Sequence, residues 1–75
     1  METQSYIAGE VRAELARQGR NQAWLAEQLG QNEVWVSRRL KGRVPIAAAD
    51  LATIADLLSV PITVFLPTKR DGVAS

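Results

Sequence analysis

The three residues Gly30-Gln31-Asn32 constrain this chain more than any other stretch, because they alone separate two short segments of helical periodicity. Before them, Leu25, Ala26 and Leu29 share one face of a helix opened by Asn21; after them, Val36 and Leu40 share one face of a helix opened by Asn32. Asn is a strong N-cap because its side-chain oxygen accepts an otherwise unpaired N–H of the first helical turn, and Gly30 can close the first helix in the left-handed conformation. An ordinary helical hairpin lays its two members nearly antiparallel. A turn this short, containing Gly and joining helices this brief, predicts the steeper crossing of a helix-turn-helix, which leaves the outer face of the second helix free.

The same punctuation predicts three more elements. Ile7, Val11 and Leu15 recur at helical spacing on a helix of about 5–18, with Ser5 as candidate N-cap and Gly19 as candidate C-cap. The second helix of the motif ends at Gly42, and Val44-Pro45 then forces extended or turn backbone. A fourth helix covers about 47–58, with Leu51, Ile54, Ala55 and Leu58 at core spacing. Val60-Pro61 breaks it, Pro61 suits the first position of a short fifth helix through about Leu66, and Pro67 stops that helix. The expectation is an all-α fold of five short helices, with one domain over residues 1–67 and a frayed tail over 68–75.

Composition narrows the chemistry. The 75 residues are 47% apolar, which suits a small core, and they include no Cys and no His. Disulfides, thiolate zinc sites and imidazole chemistry are therefore excluded. A fold without disulfides fits a reducing cytoplasm, no apolar run approaches the ~20 residues of a membrane span, and we expect no leader ahead of Ser5. There is no glycine-rich phosphate loop and no carboxylate pair in a catalytic setting; Asp50 and Asp56, six apart on one helix, make no convincing metal site. We expect no enzyme, no cofactor and no small-molecule ligand.

Net charge is only +1, but it is unevenly placed. From Arg12 to Arg43 seven basic residues stand against three acidic ones, and Arg38, Arg39, Lys41 and Arg43 fall within six positions. Such a cluster attracts a polyanion despite a near-neutral total. On a helical wheel of 33–41, Val36 and Leu40 define the buried arc. The opposite arc holds Val34 and Arg38, flanked by Trp35 and Arg39 on one side and Lys41 on the other. That face offers cations for phosphates and a forked donor for a base edge, as a helix reading the major groove requires.

The run Asn21-Gln22-Ala23-Trp24-Leu25-Ala26-Glu27-Gln28-Leu29-Gly30, followed by Val36-Ser37-Arg38-Arg39-Leu40-Lys41-Gly42, resembles the phage Cro/repressor-like (XRE-type) helix-turn-helix family. The pattern Asp50-Leu51, Ile54-Ala55, Leu58-Ser59-Val60-Pro61-Ile62 and Phe65-Leu66 is similar to that family's fourth and fifth helices, so the resemblance spans about residues 6–67. It implies a lambda-repressor-like DNA-binding domain. By it, Gln22 bonds a phosphate and braces the recognition helix; Glu33, Val34 and Arg38 match positions that touch bases; Asn32, Lys41 and Arg43 lie near the backbone. Trp35, Ser37 and Arg39 complete the backbone or flanking set. Glu33 departs from the family's frequent Gln or Ser.

Several of these residues carry two readings. Arg38 pairs with guanine O6 and N7, or it contacts phosphate or solvent. Glu33 accepts from cytosine N4, or it complements the helix dipole. Val34 packs on a thymine methyl, or it is one exposed aliphatic group. Trp35 meets the sugar-phosphate backbone or a base edge, or it shields the stem of Arg39 four residues on. Trp24 lies off the Leu25/Leu29 stripe and reads as helix-surface packing. The cluster Ile62, Val64, Phe65 and Leu66 is too large for so short a helix to bury on itself, so part enters the core and part is left as candidate dimer interface.

The functional expectation is a sequence-specific regulator of transcription, a repressor of phage or prophage type acting by occupancy of double-stranded DNA. One such domain touches few base pairs, which implies a homodimer on a pseudo-palindromic operator with half-sites ~34 Å apart. We expect no ligand-sensing domain. The alternative is an antitoxin or other protein-interaction module with the same fold, its apolar patch turned to a partner protein.

Overall fold

The computed structural model describes residues 2–67, and the expected tail over 68–75 lies outside them. Four α-helices follow one another as α1 (Glu2–Arg17), α2 (Gln22–Leu29), α3 (Glu33–Leu40) and α4 (Ala48–Leu58), and a 3₁₀ turn covers Ile62–Phe65. No strand occurs among the described residues.

The helix ends form where the polar and glycine punctuation places them. Asn21 and Asn32 are extended, and each side-chain Oδ1 accepts a backbone N–H three residues on, from Trp24 and Trp35, both at 2.8 Å. Gly30 turns left-handed (φ 69°, ψ 29°), and Gln31 N donates back to Ala26 O at 2.9 Å, which satisfies a carbonyl that the helix end would leave open. α4 ends in the same way without a glycine. Ser59 takes φ 59° and ψ 40°, and Val60 N reaches Ala55 O at 3.0 Å.

Two expected boundaries are corrected. α1 begins at Glu2, so Ser5 sits inside the helix and is not its N-cap. The first turn carries no apolar periodicity to betray it; tertiary contact supports it, since Gln4 Oε1 accepts the Ile46 N–H 2.9 Å away. The fifth helix is a single 3₁₀ turn of four residues. Pro61 is extended ahead of it (φ −68°, ψ 145°) rather than the first helical residue, and its bonds are i→i+3, from Val64 N to Pro61 O at 3.0 Å and from Leu66 N to Thr63 O at 3.2 Å. Squeezed between Pro61 and Pro67, the segment has no length for a second α-turn.

The core gathers Ile7, Ala8, Val11 and Leu15 of α1, Leu25 and Ala26 of α2, Val36 and Leu40 of α3, Leu51, Ile54, Ala55 and Leu58 of α4, then Ile46 and Phe65. α3 packs on α2 and α1, α4 packs on α2, and the 3₁₀ turn closes against α1 and α4. Gln18 locks the far end: its Nε2 donates to Leu58 O at 2.8 Å and to Glu14 Oε2 at 2.9 Å. That bond, with help from Arg17, holds the Glu14 carboxyl below its ordinary pKa. No helix among the described residues is long and apolar enough to cross a membrane.

Candidate nucleic-acid interface

α3 is half buried by construction. Val36 and Leu40, four residues apart, face the core with 1% exposure each, which turns the opposite arc outward. On that arc Val34 is 59% exposed, and Glu33, Arg38 and Lys41 are exposed beside it. Nothing in the described chain covers this face. A large aliphatic group so open to water is unusual here, because the other large exposed hydrophobic among the described residues is Tyr6. Asn32, Val34, Trp35, Arg38, Arg39 and Val44 line a shallow groove along one edge of the same face.

The electrostatics follow from what is left unpaired. Among the described residues the only ion pair joins Arg17 to Glu14, at 2.9 Å, so no carboxylate neutralises Arg38, Lys41 or Arg43. Arg38 anchors the end of the helix through its carbonyl, which accepts from Arg43 N at 2.9 Å and Val44 N at 3.4 Å. This closure throws Lys41 and Arg43 to the C-terminal edge of the exposed face. Glu33 stands in the first turn of α3, where a negative charge complements the helix dipole.

Arg39 is placed differently from its neighbours. Its guanidinium carbon lies 3.8 Å from the centroid of the Trp35 ring, Nη1 donates to Trp35 O at 3.2 Å, and Nε is buried without a partner. The stacked pair borders a small apolar crevice lined by Leu25, Leu29 and Ile54. Trp35 is thus stacked against the Arg39 guanidinium, and both residues are half-buried. Ser37 is half-buried too. Gln22, also half-buried, shares a second groove with Arg12, Arg20 and Asn21 beside the start of α2. Trp24 packs on the surface of α2 under Arg20, 4.4 Å from ring centroid to guanidinium carbon.

Of the four candidates for a subunit contact, Phe65 is corrected outright. It is 0% exposed, a core side chain with no surface to offer. Ile62, Val64 and Leu66 are half-buried against that core. Reading the sequence also missed Arg12, whose Nη1 donates to the Leu40 carbonyl at the end of α3. No signal announces that bond, because its partners are 28 residues apart and one is a backbone atom. Among the described residues no group of three or more acidic side chains is placed to hold a metal ion.

No family model matches the chain, and no curated protein matches it. Solved structures do. The chain is similar to the DNA-binding domain of BldD, with 25% identity and a TM-score of 0.77, covering 88% of this chain and 96% of that one. It is similar to the BldD DNA-binding domain of S. venezulae at 25% identity and a TM-score of 0.78, covering 89% of this chain and all of that one. A hypothetical transcription factor, NHTF from Neisseria, matches at 25% identity and a TM-score of 0.79, over 92% of this chain and 79% of that one. The chain thus has the helix-turn-helix fold of transcription-factor DNA-binding domains.

Proposed function

We propose that this chain is a sequence-specific regulator of transcription, a repressor of phage or prophage type that binds double-stranded DNA with α3 in the major groove. One observation carries the reading: the face of α3 opposite Val36 and Leu40 is left uncovered by the described residues and carries Val34 beside Arg38 and Lys41, two cations that no carboxylate among the described residues pairs with. Its kinship in fold with transcription-factor DNA-binding domains points the same way.

In this reading Arg38 forks onto guanine O6 and N7, Val34 meets a thymine methyl, and Glu33 accepts from cytosine N4. Gln22, Asn32, Ser37, Lys41 and Arg43 bond or neutralise phosphates and fix the register. Trp35 and Arg39 act as a stacked flank, giving the helix a rigid edge rather than two independent contacts. Specificity comes from a homodimer on a pseudo-palindrome, with Ile62, Val64 and Leu66 in the subunit contact, and repression comes from occupancy of the promoter. The protein works in the cytoplasm, on the nucleoid, without a cofactor or catalysis.

Selection from random duplexes followed by footprinting tests this. We expect an enriched motif with two-fold symmetry and half-sites about one helical turn apart. A protein that ignores duplex DNA at low ionic strength overturns the reading; enrichment of a motif without dyad symmetry removes the dimer from it.

A further inference from the structure

The segment joining α3 to α4 is bonded at two points and touched at a third by α1, a helix that supplies none of the base contacts proposed above. At its start, Arg12 Nη1 donates to the Leu40 carbonyl. In its middle, Gly42 (φ 77°) passes beside Ser5, where a Cβ would make ordinary contact at 3.4 Å from Ser5 Oγ and 3.6 Å from Ser5 Cα. At its end, Gln4 Oε1 accepts the Ile46 N–H at 2.9 Å, across 42 residues of sequence. Ile46 itself is buried, so this N–H has little access to water and needs a protein acceptor.

Between these tethers run Lys41 and Arg43, exposed and, among the described residues, paired with no carboxylate. A loop that is ordered only on binding loses backbone entropy at that moment, and the loss is subtracted from affinity; a loop ordered beforehand avoids it. The near side of the loop is also fixed from α3 itself, since Gly42 N bonds Arg39 O at 3.1 Å and Arg43 N bonds Arg38 O at 2.9 Å. Burial of the Ile46 side chain anchors the far side of the loop, and Gln4 holds its backbone there by a hydrogen bond.

We propose that Gln4 is a positioning residue for DNA binding: by holding the Ile46 N–H it presets the backbone of residues 41–45 and presents Arg43 to a phosphate. The inference rests on the DNA-binding reading above. It differs from a purely structural role in one respect, that the effect of Gln4 on affinity must pass through Arg43.

A double-mutant cycle with Arg43→Ala separates the two, using the full chain, a random-sequence duplex at low ionic strength and a temperature well below unfolding. Gln4→Met keeps the length of the side chain and removes the acceptor. We expect it to weaken binding by about threefold to tenfold in the parent protein, the worth of one hydrogen bond, and by less than about twofold once Arg43 is gone. Amide exchange at Ile46 should quicken in Gln4→Met and stay slow in Gln4→Glu, which retains an acceptor. Equal losses in both backgrounds, no loss in the parent, or unchanged exchange at Ile46 overturns the inference and leaves the DNA reading intact. A parent protein that does not bind the duplex overturns both.

Discussion

Arg38 and Arg43 carry the same charge at two ends of one closed turn, the N–H of the second bonded to the carbonyl of the first, yet the proposal gives them different work. Arg38 rises from the middle of the exposed face, where a guanidinium meets base edges. Arg43 lies beyond the helix, where the proposal has it meet phosphate. Arg38→Ala should therefore lower the preference for the selected duplex over a random one by about 1–3 kcal/mol. Arg43→Ala should weaken both duplexes alike and flatten the dependence of log K on log salt by about one. Titrations of both variants on both duplexes, at several salt concentrations, check the pair; unchanged discrimination in Arg38→Ala removes Arg38 as the base reader. Arg39 shows why charge and position do not settle a role. Adjacent to Arg38 and equally basic, it is drawn back onto Trp35 because stacking and a bond to its own helix are available there.

α3 has eight residues, fewer than an isolated helix needs to persist in water. It is held by what surrounds it: Asn32 at its start, Val36 and Leu40 beneath, Arg12 on its final carbonyl. The N-terminal turn carries Glu33 and Val34, so the cap bears directly on the side proposed to face the groove. Asn32→Ala should cost about 1 kcal/mol of stability, read as a lower thermal midpoint, and should weaken the selected duplex more than a random one. A variant with an unchanged midpoint would show that the Oδ1 bond to Trp35 N does nothing for the helix.

A chain this small has a stability toward the lower end of the usual ~5–15 kcal/mol, so single core side chains weigh heavily. Phe65 is the largest of the fully buried ones and comes from the least regular element. The 3₁₀ turn has too few hydrogen bonds to hold itself; it is an arm that delivers an aromatic ring between α1 and α4. Phe65→Ala should cost about 3–5 kcal/mol, most of what the fold has, and thermal unfolding measures it. A variant with a near-parental midpoint would return Phe65 to the list of surface contacts.

Much of this molecule is local. Asn21, Gly30, Asn32 and Gly42 fix where helices start and stop through bonds spanning three to five residues, and the spacing of Leu25, Val36, Leu40, Leu51 and Leu58 decides which side of each helix faces inward. Hydrophobic period and capping chemistry act within a few residues, so they are written in the order of the side chains. The exposed arc of α3 was legible for the same reason, as the complement of Val36 and Leu40. What the chain order could not express were contacts between distant parts. Gln4 with Ile46, Arg12 with Leu40, Gln18 with Leu58 and the burial of Phe65 each join an ordinary-looking residue to a partner tens of positions away, often a backbone atom with no residue-specific signature. Those pairings exist only once the helices have packed, and packing, not periodicity, decided that α1 begins at Glu2, that Arg39 folds back and that the last helix is a single tight turn.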